Sequence, residues 1–247
     1  MDSKVSKEYW EHHYEIIKPE NAYKSDTIRL WIEQHISPVS KNENKTCIEI
    51  GCYPGPHLSI FGDLGYELYG IDYCKQLDLL PESLKNAGYR VGKFWKEDFF
   101  RFVPQKKFDV VASFGFIEHF TNFIDVLEKH ISLVDSKGYL VLEVPNFIGG
   151  FQKWFHSNFD KLNYDCHYIP AMDIEKWIDV LNKENYKIIY KGYFGRFDFW
   201  TEYERRSLLT RFFLKVSSKI IRPCLRGALP KDKRLYSPFG GIIAQKL

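Results

Sequence analysis

Two periods of apolar residues alternate along the chain, and each change of period marks an element. Tyr9, Trp10, His13, Tyr14 and Ile17 fall at helical spacing, as do Ile28, Trp31, Ile32 and His35 in residues 24–36. Both stretches read as helices packed on a domain, the second closed by Pro38. After the polar loop SKNENK, the β-branched run TCIEI stops at Gly51. The glycine- and proline-punctuated GCYPGP follows, then a helical segment from His57 to Asp63, then the apolar run ELYGI ending on Asp72. Strand, tight turn, helix and strand make a βαβ unit. A helix from Lys75, interrupted by Pro81 and closed by Gly88, precedes YRVGKFWKEDFF, which reads as a third strand ending near Asp98. FDVVAS is unbroken enough to be a parallel strand buried on both faces. TNFIDVLEKHISLV is helical, SKGYLVLEVPN a glycine turn and a fifth strand, AMDIEKWIDVLNKEN a helix, YKIIYKGYF a sixth strand and GGIIAQKL a last one.

Composition narrows the class without naming a function. With 247 residues, 45% hydrophobic and 27% charged, the chain is a globular unit able to bury a full core. A formal net charge of +3 is too slight to argue for nucleic acid. The five cysteines (Cys47, Cys52, Cys74, Cys166 and Cys224) are odd in number and contain no C-x-x-C pair, so neither a disulfide framework nor a zinc cluster is favoured. No signal peptide and no membrane-spanning run is evident, and a reduced, cytoplasmic setting is expected.

The chemistry concentrates where the βαβ unit puts its turn and its acid. Glycine at the turn lets a ligand approach the backbone, and the helix start behind it offers free N–H groups. Asp72, at the tip of the neighbouring strand, is at the reach of both hydroxyls of a ribose. The dinucleotide fingerprint wants glycine at 51, 53 and 56, but the chain has Gly51, Tyr53 and Pro56.

The stretch instead resembles the first motif of class I S-adenosylmethionine-dependent methyltransferases, matched by Glu49, Gly51 and Gly55, with Cys52 beside the first glycine and Tyr53 in place of the middle one. FDVV-x-S leading to Glu118 and His119 is similar to the family's fourth motif, and the V-P-N ending of the fifth strand to a further one. The match covers about residues 45–146 and is most similar to small-molecule and surface-glycan pathway members. It implies a Rossmann-like, seven-stranded, mostly parallel sheet with helices on both faces, in one domain. Residues 1–44 would be an N-terminal helical lid, 45–146 the cofactor-binding core and 147–170 a substrate cap. Residues 171–200 would hold a helix and strand six, 201–238 a helical insertion and 239–247 the last strand.

The resemblance also implies site residues. S-adenosylmethionine would be held by Tyr14, Glu49, Gly51, Cys52, Tyr53, Gly55, Asp72, Tyr73, Asp98, Phe99 and Phe114, with Asp98 receiving the adenine amino group and Phe99 flanking the ring. YW-x-x-x-Y resembles a lid whose tyrosines close over the cofactor, which adds Tyr9 on the substrate side. In the aromatic segment 147–170, Trp154, His156, Tyr164 and Tyr168 are substrate-binding candidates. A hydroxyl acceptor needs its proton removed, so His119 is the candidate base and His167 the second. Glu118 and His119 alone make half a metal site, and no metal is expected. The basic run RRSLLTRFFLKVSSKIIRPCLR is expected to be a solvated helix face with an apolar stripe. The implied function is methylation of a small polar acceptor, probable chemistry being O-methylation of a sugar or glycan-pathway intermediate. Protein or RNA methylation, or a non-catalytic binding subunit, are the alternatives, and homodimerisation stays open. No nucleic-acid partner is expected.

Overall fold

In the computed structural model, which describes residues 3–15, 17–19, 25–40, 42–200 and 215–247, the strand-like runs join one sheet. The strands are β1 (Thr46–Ile50), β2 (Glu67–Asp72), β3 (Val91–Lys96), β4 (Phe108–Phe114), β5 (Val134–Pro145), β6 (Tyr186–Phe194) and β7 (Phe239–Lys246). Their order across the sheet is β3-β2-β1-β4-β5-β7-β6, and β7 runs antiparallel to both its neighbours while the other pairs are parallel. The order reverses between β1 and β4, the place where an open α/β sheet leaves a crevice beyond the carboxyl ends of its strands. Gly51 and Gly115, immediately after those two strands, adopt φ of +70° and +61°. Only glycine takes this conformation without strain, so the chain can turn back sharply and leave the crevice open.

The helices are α1 (Lys7–His13), α2 (Asp26–His35), α3 (Leu58–Asp63), α4 (Leu79–Asn86), α5 (Phe123–Leu133), α6 (Gly150–Phe159), α7 (Lys161–Asp165), α8 (Ile174–Lys183) and α9 (Arg222–Ala228). Strand alternation divides the core between the two faces of the sheet. Ile48, Val111, Leu140 and Ile242 pack with Val126, Leu127 and Ile131 of α5 and with Trp177 and Leu181 of α8. Cys47, Leu68, Val110 and Ile243 point the other way, against Ile28, Trp31 and Ile32 of α2, Phe61 of α3 and Leu84 of α4. Trp177, fully buried, donates its indole N–H to the carbonyl of Ala171 (2.9 Å), so this large side chain leaves no polar group unmatched.

Three sequence expectations shift in detail. The third strand ends at Lys96 rather than near Asp98, because the Asp98 carboxylate accepts the N–H of Phe100 (2.9 Å) and starts a turn there. Pro81 does not interrupt a helix: a 3₁₀ turn, Lys75–Asp78, comes first, and Pro81 falls in the first turn of α4, where its missing N–H costs nothing. Of the segment 201–238, residues 201–214 lie outside the described residues. The remainder is helical through Ser217–Ala228 and then passes through bends and a turn over 234–236 into β7.

A smaller apolar cluster lies outside the sheet. Phe155 joins Phe197, Phe199 and Tyr236, with Phe151, Phe159, Leu225 and Leu229 around them. It fixes α6 and α9 to each other and to the segment before β7.

Candidate functional site

Two cavities of similar size border the glycine turn after β1, and chemistry separates them. One, about 570 Å³, lies outside the turn between Pro54, Gly55 and Leu80, and its charged lining is confined to Lys18 and Glu82. The other, about 580 Å³, opens at the carboxyl ends of β1, β2 and β4 and contains Asp72, Asp98 and His119 together. Its volume is in the range of small-molecule sites.

Its cofactor end is organised by Asp72. One carboxylate oxygen accepts the N–H of Cys74 (3.0 Å) and the other that of Tyr53 (3.1 Å), which ties the tip of β2 to the turn after β1. Burial pushes the Asp72 pKa up, and the N–H groups of Cys74, Tyr53 and Tyr73 together with the Cys74 thiol oppose the shift. Gly51, Asp72, Tyr73, Asp98, Phe99, Phe114 and Tyr14 all line this cavity, as the sequence implied. A Cβ on Gly51 would stand 2.7 Å from the Phe116 ring, so the close packing of turn and wall needs glycine on two grounds.

Four other predicted cofactor residues act from behind. Glu49 is 3% exposed and faces the α2–α3 side of the sheet, where its carboxyl takes the N–H of Leu58 at the start of α3. Burial, and then the charge of Asp72, raise its pKa well above the usual carboxylate range. It therefore caps a helix in its neutral form. Cys52 is buried with its sulfur against Gly70 of β2. Tyr53 turns inward too: its hydroxyl donates to the carbonyl of Ile17 (2.6 Å), and its ring meets Tyr14 edge-on at 5.3 Å. Gly55, at φ +94°, packs against Leu80. None of the four side chains lines the cavity. They hold the turn rather than reach the ligand, because the hydrophobic layer beneath the turn competes successfully for apolar side chains.

The loop after β4 and the N-terminus build a further part of the cavity wall. Ser3 pairs with Phe120 in an antiparallel bridge, and the N–H of Lys4 donates to the carbonyl of His119 (2.8 Å). This strap delivers α1, whose Trp10 packs edge-on against the His119 imidazole at 4.9 Å. Val5, Trp10, Phe116 and Phe120 make the wall aromatic and apolar. Tyr9 lies on the outer side of α1, stacked on His13, and does not reach the cavity. The alternation of Phe114, Phe116 and Phe120 was the available signal for this wall; for Trp10 it was the same YW-x-x-x-Y pattern, in which the tyrosines drew attention.

His119 donates from Nδ1 to the carbonyl of Cys166 (3.0 Å), and His167 donates from Nδ1 to that of Asn163 (2.6 Å). The two rings sit 4.7 Å apart. Burial lowers the His119 pKa to about 4, against a smaller opposing pull from the Cys166 and Gly115 carbonyls, and lowers that of His167 well below its ordinary value. Both are neutral at physiological pH. The expectation that Glu118 and His119 stand alone is corrected here: the turn that closes α7 brings in His167, and one ligand atom from each of the three lies within 4.8 Å of the others.

The aromatic segment 147–170 is placed differently from the expectation. Apart from His167 its candidates stand away from the cavity lining, His156 and Tyr164 around Phe147. His156 is fully buried against Phe147 (4.3 Å) and pairs with Asp160 (3.3 Å), and Tyr164 stacks on Phe147 at 5.7 Å. Tyr168 donates its backbone N–H to the Glu118 carbonyl (2.6 Å) and packs near Phe123. Trp154 is 53% exposed on the outside of α6. None of these four lines the cavity. The amphipathic spacing of α6 and α7 sends their aromatic side chains into the core and the satellite cluster.

Comparison with known proteins agrees with this geometry. Residues 22–190 match the model of a family described as a methyltransferase domain. A methyltransferase dependent on S-adenosylmethionine from Thiobacillus denitrificans, solved with S-adenosyl-L-homocysteine, superposes with a TM-score of 0.58 at 16% identity over 100% of both chains. The MccD protein gives 0.57 at 14% identity, covering 89% of this chain and 96% of its own. The plantazolicin methyltransferase BpumL, solved with a monoazolic desmethylPZN analog and S-adenosylhomocysteine, gives 0.52 at 16% identity over 83% and 77%. These likenesses concern the fold. Among curated proteins none matches the sequence.

Proposed function

Because the chain belongs to the methyltransferase-domain family and uses S-adenosylmethionine, we propose that its acceptor is a small polar molecule methylated on oxygen, a sugar or glycan-pathway intermediate being the favoured class. Bound S-adenosylmethionine would supply an electrophilic methyl group on a positively charged sulfur, and the imidazole of His119 would take the proton of the acceptor hydroxyl. Asp72 fits the ribose hydroxyls, and Asp98 with Phe99 fits the adenine.

The observation that carries the reading is the placement of His119. It is the neutral imidazole among the cavity-lining residues, held in orientation by the Cys166 carbonyl and by Trp10. The aromatic wall excludes water and suits the apolar face of a sugar ring. The strap from Ser3 to Tyr14 encloses the site, which favours a small acceptor over a protein or RNA chain. The five free thiols suit a reducing, cytoplasmic setting.

The test is incubation with methyl-labelled S-adenosylmethionine and small-molecule extract, followed by mass spectrometry of the labelled product. Label on a sugar oxygen supports the reading. Label confined to protein or RNA, or none with cofactor bound, refutes it.

A further inference from the structure

The chain's charge is unevenly placed. Residues 215–235 hold seven basic side chains (at 215, 219, 222, 226, 231, 233 and 234) and one acid, Asp232. The segment is therefore +6 in a chain whose total is +3, so the rest carries −3. Part of the segment is the helix that runs through Ser217–Ile221 into α9.

This helix wears its apolar residues on the wrong side for a merely packed element. Ile220 is 61% exposed and Ile221 44%. Cys224 and Ala228 are exposed as well, and with Ile220 they fall at i, i+4 and i+8, one line along the helix. The inward side is shared by Ser217, Leu225 and Arg222. Arg222 and Arg226 are drawn to Asp198 at 3.3 and 3.6 Å, which fixes the rotation of the helix and keeps the isoleucines outward. Leu235 is 63% exposed beside Gly150, and Trp154 is 53% exposed on the same α6, the helix that the satellite aromatic cluster joins to α9. Lys219 borders the isoleucines directly.

We infer that this face is a membrane-docking surface, seated on a bilayer rich in anionic phospholipid, with Ile220 and Ile221 entering the headgroup–acyl boundary and the lysines and arginines contacting phosphate. The occupant follows from complementarity: a protein partner accounts for exposed isoleucines, but a surface at once apolar, cationic and carrying an exposed tryptophan matches an anionic interface. The cavity and its residues are not part of this face. The inference does not depend on which acceptor the enzyme methylates.

The test is co-sedimentation of the full chain with vesicles of phosphatidylcholine containing about a third phosphatidylglycerol, against phosphatidylcholine alone. Binding should be on the order of tenfold stronger with phosphatidylglycerol and should fall as salt is raised several-fold above ~0.1 M. The double variant Ile220→Ser/Ile221→Ser and the variant Lys219→Glu should each reduce vesicle binding several-fold. Both should leave S-adenosylhomocysteine affinity unchanged, a control that they fold. Several results would overturn the inference: no binding to either vesicle, equal binding to both, or variants that bind as the parent does. So would light scattering that shows a dimer lost in the isoleucine variant, which would make a second copy the occupant. Salt-dependent capture of nucleic acid without vesicle binding would overturn it as well.

Discussion

Replacing Asp72 with asparagine keeps the shape of the side chain and removes its charge and half of its acceptor capacity. In the parent, each carboxylate oxygen holds one backbone N–H, from Cys74 and from Tyr53. An amide has a single oxygen, so one of these N–H groups must face an NH₂ instead. Acceptor capacity toward a ribose hydroxyl falls as well. A hydrogen bond to a charged group contributes roughly 1.5–3 kcal/mol, so losing one on the ligand side should weaken S-adenosylhomocysteine by roughly 10- to 150-fold. The mismatch on the protein side should also lower stability, by about 1–3 kcal/mol for an unsatisfied buried donor. Calorimetric titration gives the first quantity and thermal unfolding without ligand the second. If Asp72→Asn binds S-adenosylhomocysteine within about threefold of the parent, beyond any factor expected from the lost charged bond, the carboxylate does not hold the ribose. If affinity falls and unliganded stability is unchanged, the tie between β2 and the glycine turn is weaker than its distances imply.

Four further outcomes follow from the same geometry. His119→Ala should retain S-adenosylhomocysteine affinity and lower the methyl-transfer rate by about a hundredfold or more; near-parental turnover would remove His119 as the base, and a matching loss in His167→Ala alone would transfer the role. Burial puts the His119 pKa at about 4, so the parent's rate should be level through neutral pH and decline only as the solution approaches that value; a decline centred near 6.5 would contradict the desolvated environment. Glu143, buried at the end of β5, has its pKa raised from 4.5 to about 8 by desolvation. The folded state therefore binds the more protons between those values, and stability is lost as pH rises through that window, by roughly 4–5 kcal/mol at most; Glu143→Gln should flatten that part of the unfolding profile, and an unaltered slope would refute the assignment. Gly51→Ala should destabilise the chain by about 1–2 kcal/mol and weaken cofactor binding together, because the added methyl meets Phe116 while the backbone holds φ +70°; a variant with parental stability would show that the turn has another conformation open to it.

The sheet and the cofactor end were legible because local signals and global topology agree there. A β-branched run, a glycine that must turn back and an acid at the next strand's tip suffice to place Gly51 and Asp72, whatever the rest of the chain does. The wall beside His119 depends on contacts distant in sequence. Nothing in YW-x-x-x-Y says that Trp10 rather than Tyr9 meets His119, since that is decided by the bridge between Ser3 and Phe120. His167 was recognised as chemistry-bearing, but its nearness to Glu118 needs the fold of α7. Motif position put Cys52 and Tyr53 beside the cavity, but a turn that departs from three glycines has to bury its larger side chains, and the layer under β1 and β2 receives them.

The strap over the cavity has a kinetic consequence. Its two ties, Ser3 to Phe120 and Lys4 to the carbonyl of His119, join it to the loop that orients the candidate base. Where exchange of spent cofactor for fresh requires lifting it, that loop would loosen with it, and turnover would then be paced by how often residues 3–14 detach. Ligands that fill both ends of the cavity would show slow onset and long residence rather than rapid equilibrium.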